Sequence, residues 1–191
     1  MGGRGMFELP MEETSVLLIS EDQSIWTLFG EIKKKEMFEL VHLLQELNAL
    51  PTKERPKQIK FILNSVGGDL YSALPLYDAM LTSKIPIWLH ATGNCFSAAT
   101  ILMCAAKKRT ASPSTRFMIH DLAYGFDLVS IQEAKQIHTD MIEYSKLVKE
   151  IYVTKTKMSV AVVTGLFESG KDNYFWATTA AEVYGLIEEV C

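Results

Sequence analysis

Three features of the 191-residue chain predict an α/β domain with a mainly parallel sheet. Short apolar runs with strand character alternate with amphipathic helical stripes. Hydrophobic residues make up 48% of the chain, enough for one domain to bury a complete core. Three polar or glycine-containing segments (64–69, 93–97 and 120–125) each follow an apolar run. That is the carboxyl-end rim on which parallel sheets gather their sites.

The elements follow in order. Val16 to Ile19 and Trp26 to Phe29 read as short strands, the second stopped by Gly30. Glu36 to Leu50 carries Met37, Leu40, Val41, Leu44 and Leu47 at helical spacing, and Pro51 ends it. Lys57 to Leu63 is a strand running into Asn64-Ser65-Val66-Gly67-Gly68-Asp69. The next helix ends near Thr82 with Leu74, Tyr77 and Leu81 on its apolar face, and Pro75 belongs near its first turn or bends it. Strand Ile85 to Leu89 leads to a small-residue helix at Ser97, and Arg116 to Ile119 is the next strand. After a loop around Gly125, Ile131 to Thr154 forms one helix with Ala134, Ile137, Met141, Tyr144, Val148 and Ile151 on a face. At about 1.5 Å per residue it spans roughly 35 Å, so its far end projects from the globule or packs on another subunit. Ala177 to Tyr184 is a last helix.

Net charge is −4 with the signs interspersed, which gives no electrostatic footprint for nucleic acid. Cys95, Cys104 and Cys191 are odd in number and irregularly spaced. They suit neither a disulfide framework nor a metal knuckle, and point to a reducing, cytoplasmic home. The start of the chain has no apolar signal core, and Met6 stands where a myristoylation motif needs Ser or Thr. The longest strongly apolar run, Cys95 to Ala106, is too short to span a membrane. A soluble single domain over 1–191 is expected, with residues 1–12 as a loose tail and no metal or organic cofactor.

Ser97 and His120 carry the chemistry. A serine hydroxyl is a poor nucleophile at pH 7 until a neighbouring imidazole removes its proton. Ser97 stands where a strand gives way to a helix, and His120 ends the run Phe117-Met118-Ile119. Taken singly, each has a plain structural reading, as a helix N-terminal serine and a satisfied core histidine. Gly67-Gly68 could turn backbone amides toward a tetrahedral oxyanion, together with the N–H of Ala98 at the helix start, or could serve as an ordinary turn. To orient the imidazole, Asp121, Asp127, Asp172 and Asn173 are all candidates. Asp121 follows His120 directly and would point to the opposite face of a strand.

The segments Ile62-Leu63-Asn64-Ser65-Val66-Gly67-Gly68, Gly93-Asn94-Cys95-Phe96-Ser97-Ala98-Ala99, Phe117-Met118-Ile119-His120 and Ala180-Ala181-Glu182-Val183-Tyr184-Gly185-Leu186-Ile187 occur in order from about Trp26 to Val190. Together they resemble the Clp protease proteolytic subunit (ClpP) family, within the ClpP/crotonase fold of repeated β-β-α units. The resemblance implies Ser97 as nucleophile, His120 as general base, and the amides of Gly68 and Ala98 as oxyanion hole. It implies a handle region over about 123–154 that interlocks two rings, and a strand at 122–127 that pairs with an extended substrate peptide. Two stacked seven-membered rings, an AAA+ unfoldase partner and unfolded polypeptide substrates complete the expectation, with 1–12 as an axial segment.

Four departures stand out. Val66 replaces the family proline, which loosens the loop before the oxyanion amides. Phe96 and Ala98 flank the serine in place of a small residue and a methionine, which alters the first subsite. Ser97 and His120 lie two residues closer than in typical members, a shortening placed around Lys107 to Arg109. The third triad member falls on Asp172 by its local motif and on Asn173 by counting back from Tyr184-Gly185. Asp172 is taken as the acid, with a one-residue insertion placed in Tyr174 to Ala177. Two other classes share part of this pattern: a catalytically weak structural subunit of a mixed ring, and a crotonase-type acyl-CoA enzyme, which does not need the Ser–His pair.

Overall fold

The computed structural model describes residues 15–123 and 130–191. The expected axial segment 1–12 and residues 124–127 of the expected substrate strand, Gly125 among them, lie outside the described residues. Among the described residues, eight strands form one sheet in the order β1 (Val16–Ile19), β2 (Ile25–Phe29), β3 (Ile59–Ser65), β4 (Ile87–Phe96), β5 (Lys108–Ala111) and β8 (Glu189–Val190). A branch, β6 (Arg116–Ile119) and β7 (Asn173–Trp176), leaves from β4. The β1–β2 and β6–β7 pairs are antiparallel and the others parallel. The α/β class with a mainly parallel sheet is therefore the observed one.

Alternation along the strands sets one buried face. Ile59, Phe61 and Leu63 of β3 and Ile87, Leu89 and Ala91 of β4 point inward, while Lys60 and Trp88 between them are exposed. Helix α1 (Lys34–Ala49) contributes Met37, Leu40, Leu44 and Leu47 to that core, matching the predicted stripe. Helix α2 (Leu70–Thr82) buries Ser72, Ala73, Leu76, Tyr77 and Met80, while Leu81 is exposed and Leu74 half-buried. The predicted face is therefore turned. Close packing against α1 and α3 favours the small Ser72 and Ala73, which hydrophobicity alone undervalues. Pro75 lies in the second turn of α2, where it leaves the Tyr71 carbonyl without its helical donor. Every residue of α3 (Ala98–Ala105) is buried.

The strand after α2 runs to Phe96, seven residues past the expected end at Leu89. Its first half pairs with β5 through Trp88–Ala91, and its second half pairs with β6 through Asn94–Phe96. A bulge separates the halves, and the Asn64 side chain fills it by accepting from the Asn94 N–H at 3.0 Å. His90 therefore lies within the strand, held by Thr110 Oγ1 at 2.8 Å and Ser112 Oγ at 3.0 Å. The long helix α4 (Ile131–Lys155) starts with a capping box between Ser130 and Glu133. Only Val148, Ile151 and Tyr152 of it are buried, and Ile131, Ile142 and Leu147 are exposed, as expected of a projecting handle. Two further elements follow, α5 (Val160–Glu168) and a short α6 (Ala177–Thr179) that passes into a π turn over Ala180–Tyr184.

Candidate active site

Strand pairing brings the serine and the histidine together. Phe96 and Met118 are partners in the parallel β4–β6 ladder, so Ser97 and His120 leave adjacent strands at the same end. The Ser97 N–H donates to the Met118 carbonyl at 2.8 Å. Ser97 itself has φ 52° and ψ −124°, a region that a residue with a Cβ occupies at a cost of about 1–3 kcal/mol. The turn aims its hydroxyl at the histidine, with Oγ 2.7 Å from His120 Nε2.

On the far side of the imidazole, Nδ1 lies 3.3 Å from Asp172 Oδ1. Ile119 and Asn173 are opposite partners in the antiparallel β6–β7 ladder, so the residues just beyond that pair, His120 and Asp172, meet across its end. Asn173 is turned elsewhere. Its Nδ2 lies 2.7–3.1 Å from the carbonyls of Ile119, Leu166 and Lys171 and from Ser169 Oγ, bracing the loop that presents Asp172. Asp121 accepts from the Leu122 N–H at 2.8 Å and from Ser145 Oγ on α4 at 2.9 Å. Asp127 lies outside the described residues.

Register is unbroken from Asn173 to Trp176, which keeps Phe175 on the buried face. The helix that follows closes with the Gly185 N–H donating to the Ala180 carbonyl, a span of five residues, so its last turn is a π turn, one residue wider than an α turn.

The loop of Gly67 and Gly68 stands beside the serine. A Cβ on Gly67 would lie 2.7 Å from the Phe96 carbonyl and 2.8 Å from Ser97 Cβ, so only glycine permits this approach. Behind the loop, the Ile32 N–H donates to the Gly67 carbonyl at 2.7 Å and the Asp69 N–H to the Ile32 carbonyl at 3.0 Å. In such a parallel bridge the intervening residue, Gly68, directs its own N–H away from Ile32. The Gly67 N–H donates to Ser65 Oγ at 3.1 Å, a further tether after Val66. Ala98 is the first residue of α3, where the N–H has no intrahelical acceptor.

Gly68, Ser97, Ala98 and His120 all line one cleft of about 360 Å³. Its remaining wall is mostly apolar, with Ile101, Met118, Met141 and Val148 among its residues. Phe96 is half-buried and packs edge-on against Tyr174, with ring centroids 5.4 Å apart, and it does not line that cleft. Sequence reasoning gave no role to Thr100 or Tyr152. Thr100 Oγ1 donates to the Ser97 carbonyl at 2.6 Å and lies 2.6 Å from Tyr152 Oη on α4. The available signal was a hydroxyl three residues after the serine, one helical turn on. Burial raises the Tyr152 hydroxyl far above its ordinary pKa, and burial likewise raises the Cys95 and Cys104 thiols. Among the described residues no cluster of His, Cys, Asp or Glu has the makings of a metal site, and no helix is long and apolar enough to cross a membrane.

A family model described as Clp protease matches residues 14–191. Three curated proteins, each named ATP-dependent Clp protease proteolytic subunit, are 30% identical over 150 residues. They come from two strains of Bacteroides fragilis and from Bacteroides thetaiotaomicron, and the match covers 78% of this chain and 70%, 66% and 66% of theirs.

Proposed function

The chain belongs to the Clp protease family, and on that premise we propose that it is a serine endopeptidase cutting unfolded polypeptides inside an oligomeric chamber. The observation that carries the reading is the 2.7 Å contact of Ser97 Oγ with His120 Nε2, with Asp172 on the other ring nitrogen. Ser97 attacks the scissile carbonyl while His120 takes its proton and then returns it to the leaving amine. Asp172 stabilises the imidazolium through Nδ1–H. The N–H groups of Gly68 and Ala98 receive the oxyanion, and water then hydrolyses the acyl-enzyme by the same route. The apolar cleft wall suits an apolar side chain next to the cut bond.

The chamber proposed is two stacked seven-membered rings interlocked by α4, fed by an AAA+ unfoldase in a reducing cytoplasm. The exposed apolar residues of α4 support its role as an interface. The aspartate on the imidazole weighs against a catalytically weak subunit, and the bonded Ser–His pair weighs against acyl-CoA chemistry.

The test is labelling of the wild-type protein by a fluorophosphonate probe, with Ser97→Ala alongside. Wild type takes up the probe and cleaves a short fluorogenic peptide. Ser97→Ala does neither, a loss on the order of 10⁶ in turnover where the serine is the nucleophile. Labelling that persists in Ser97→Ala overturns the assignment.

A further inference from the structure

Both main-chain groups of Ser97 are tied. Its N–H donates to Met118, and its carbonyl accepts from the Thr100 N–H at 2.9 Å as well as from Thr100 Oγ1 at 2.6 Å. Because the partner of that hydroxyl is a carbonyl, Thr100 must donate, and its single proton is spent there. The 2.6 Å contact with Tyr152 then has one polarity, in which the phenol donates to Thr100 Oγ1. Thr100 is 0% and Tyr152 2% exposed, so water cannot replace either partner. A directed chain results, from the Tyr152 O–H through the Thr100 O–H to the Ser97 carbonyl. It joins the buried end of α4 to the one residue of the site held at an unfavourable φ.

We propose that Thr100 and Tyr152 are positioning residues, which hold the Ser97 turn so that Oγ stays on His120. The proposal rests on the reading of Ser97 as nucleophile. The turn has a reason to relax, because a non-glycine residue at φ 52° persists only where its surroundings over-determine it. Each neighbouring group supplies part of that constraint, and the hydroxyl chain supplies the part that comes from α4. Burial keeps the phenol protonated, so the clamp retains its donor as pH changes.

The test uses the full-length assembled protein and three variants. Tyr152→Phe keeps the ring that lines the cleft and removes the proton of the chain. It lowers kcat and the probe-labelling rate by roughly tenfold while KM stays within about twofold, the pattern of a lost orienting hydrogen bond. Thr100→Ser restores the hydroxyl and stays close to wild type. Thr100→Val combined with Tyr152→Phe loses no more activity than Thr100→Val alone, because the tyrosine acts through the threonine. A purely structural role would lower Tm and leave kcat at low temperature unchanged. Hydrogen exchange of the amides of residues 98–101, compared with and without Tyr152→Phe in a Ser97→Ala background, separates the two levels of the argument. Faster exchange there supports the clamp even if wild type takes up no probe, a result that would overturn the nucleophile reading alone. Unchanged exchange, or labelling of Tyr152→Phe as fast as that of a wild type that does take up the probe, overturns the positioning role.

Discussion

Two adjacent residues, Asp172 and Asn173, divide between them the tasks of charge and support. Asp172 presents a carboxylate at 3.3 Å from His120 Nδ1, and Asn173 braces the loop behind it through its amide. Asp172→Ala should lower turnover by about 10⁴ with little change in stability, since the charge stabilises an imidazolium that exists only during reaction. Asn173→Ala should retain most of the turnover and lose about 0.5–1.5 kcal/mol of stability, because the part-buried carbonyls of Ile119 and Leu166 lose their donor. Peptide-cleavage rates and urea midpoints on the two variants check this, and a reversed pattern would make Asn173 the orienting group. His90 offers a prediction of another kind. Burial first, and the Lys60 charge second, lower its pKa. The unfolded chain therefore binds a proton near pH 6.5 before the folded protein does. Stability is whole above that pH and is lost as pH falls below it. The urea midpoint should drop between pH 7.5 and 5.5, and less so in His90→Asn. Equal slopes in the two proteins would remove His90 from the account.

At the level of elements, an α-helical turn and a β-strand differ in how they tolerate one added residue. In β7 a shift of one position exchanges the buried Phe175 with the exposed Tyr174 or Trp176, and it moves Asp172 off His120. In a helix, one added residue can widen a single turn to a π turn such as that over Ala180–Tyr184 and leave a neighbouring strand untouched. Deletion of Val183, which is exposed within the π turn, should restore an α turn with probe labelling kept. Deletion of Tyr174 should abolish labelling. Loss of labelling in both variants would mean that the π turn itself supports the site. Much at this level was readable from periodicity. The α1 stripe and the alternation of strands with helices needed only spacing. β5, with its run Lys108-Arg109-Thr110-Ala111, carries no apolar alternation and was not foreseen. β8 has two residues, and α5 is an apolar run too short to be told from a strand by period.

Over the whole molecule, α4 extends about 37 Å at 1.5 Å per residue but buries side chains only near its C-terminal end. Ile131, Ile142 and Leu147 lie exposed along it, and on the ring proposal they are the surface that another subunit covers. Mass measurement in solution should find an assembly of about 300 kDa, fourteen copies of the 21.5 kDa chain. A monomer at micromolar concentration would contradict the ring proposal.

Read alone, the order of residues was sufficient for the α/β class, for the helix stripes, and for placing Ser97, His120 and Gly67-Gly68 at the ends of buried segments. These are local properties, set by period and by the residue types that strand ends and tight turns admit. Contact across the chain had to settle whether Asp172 or Asn173 meets the imidazole, and that a hydroxyl from α4 reaches Thr100, which in turn donates to the Ser97 carbonyl. Each depends on register between strands or packing between helices distant in sequence, and a shift of one residue there reverses which side chain faces the site.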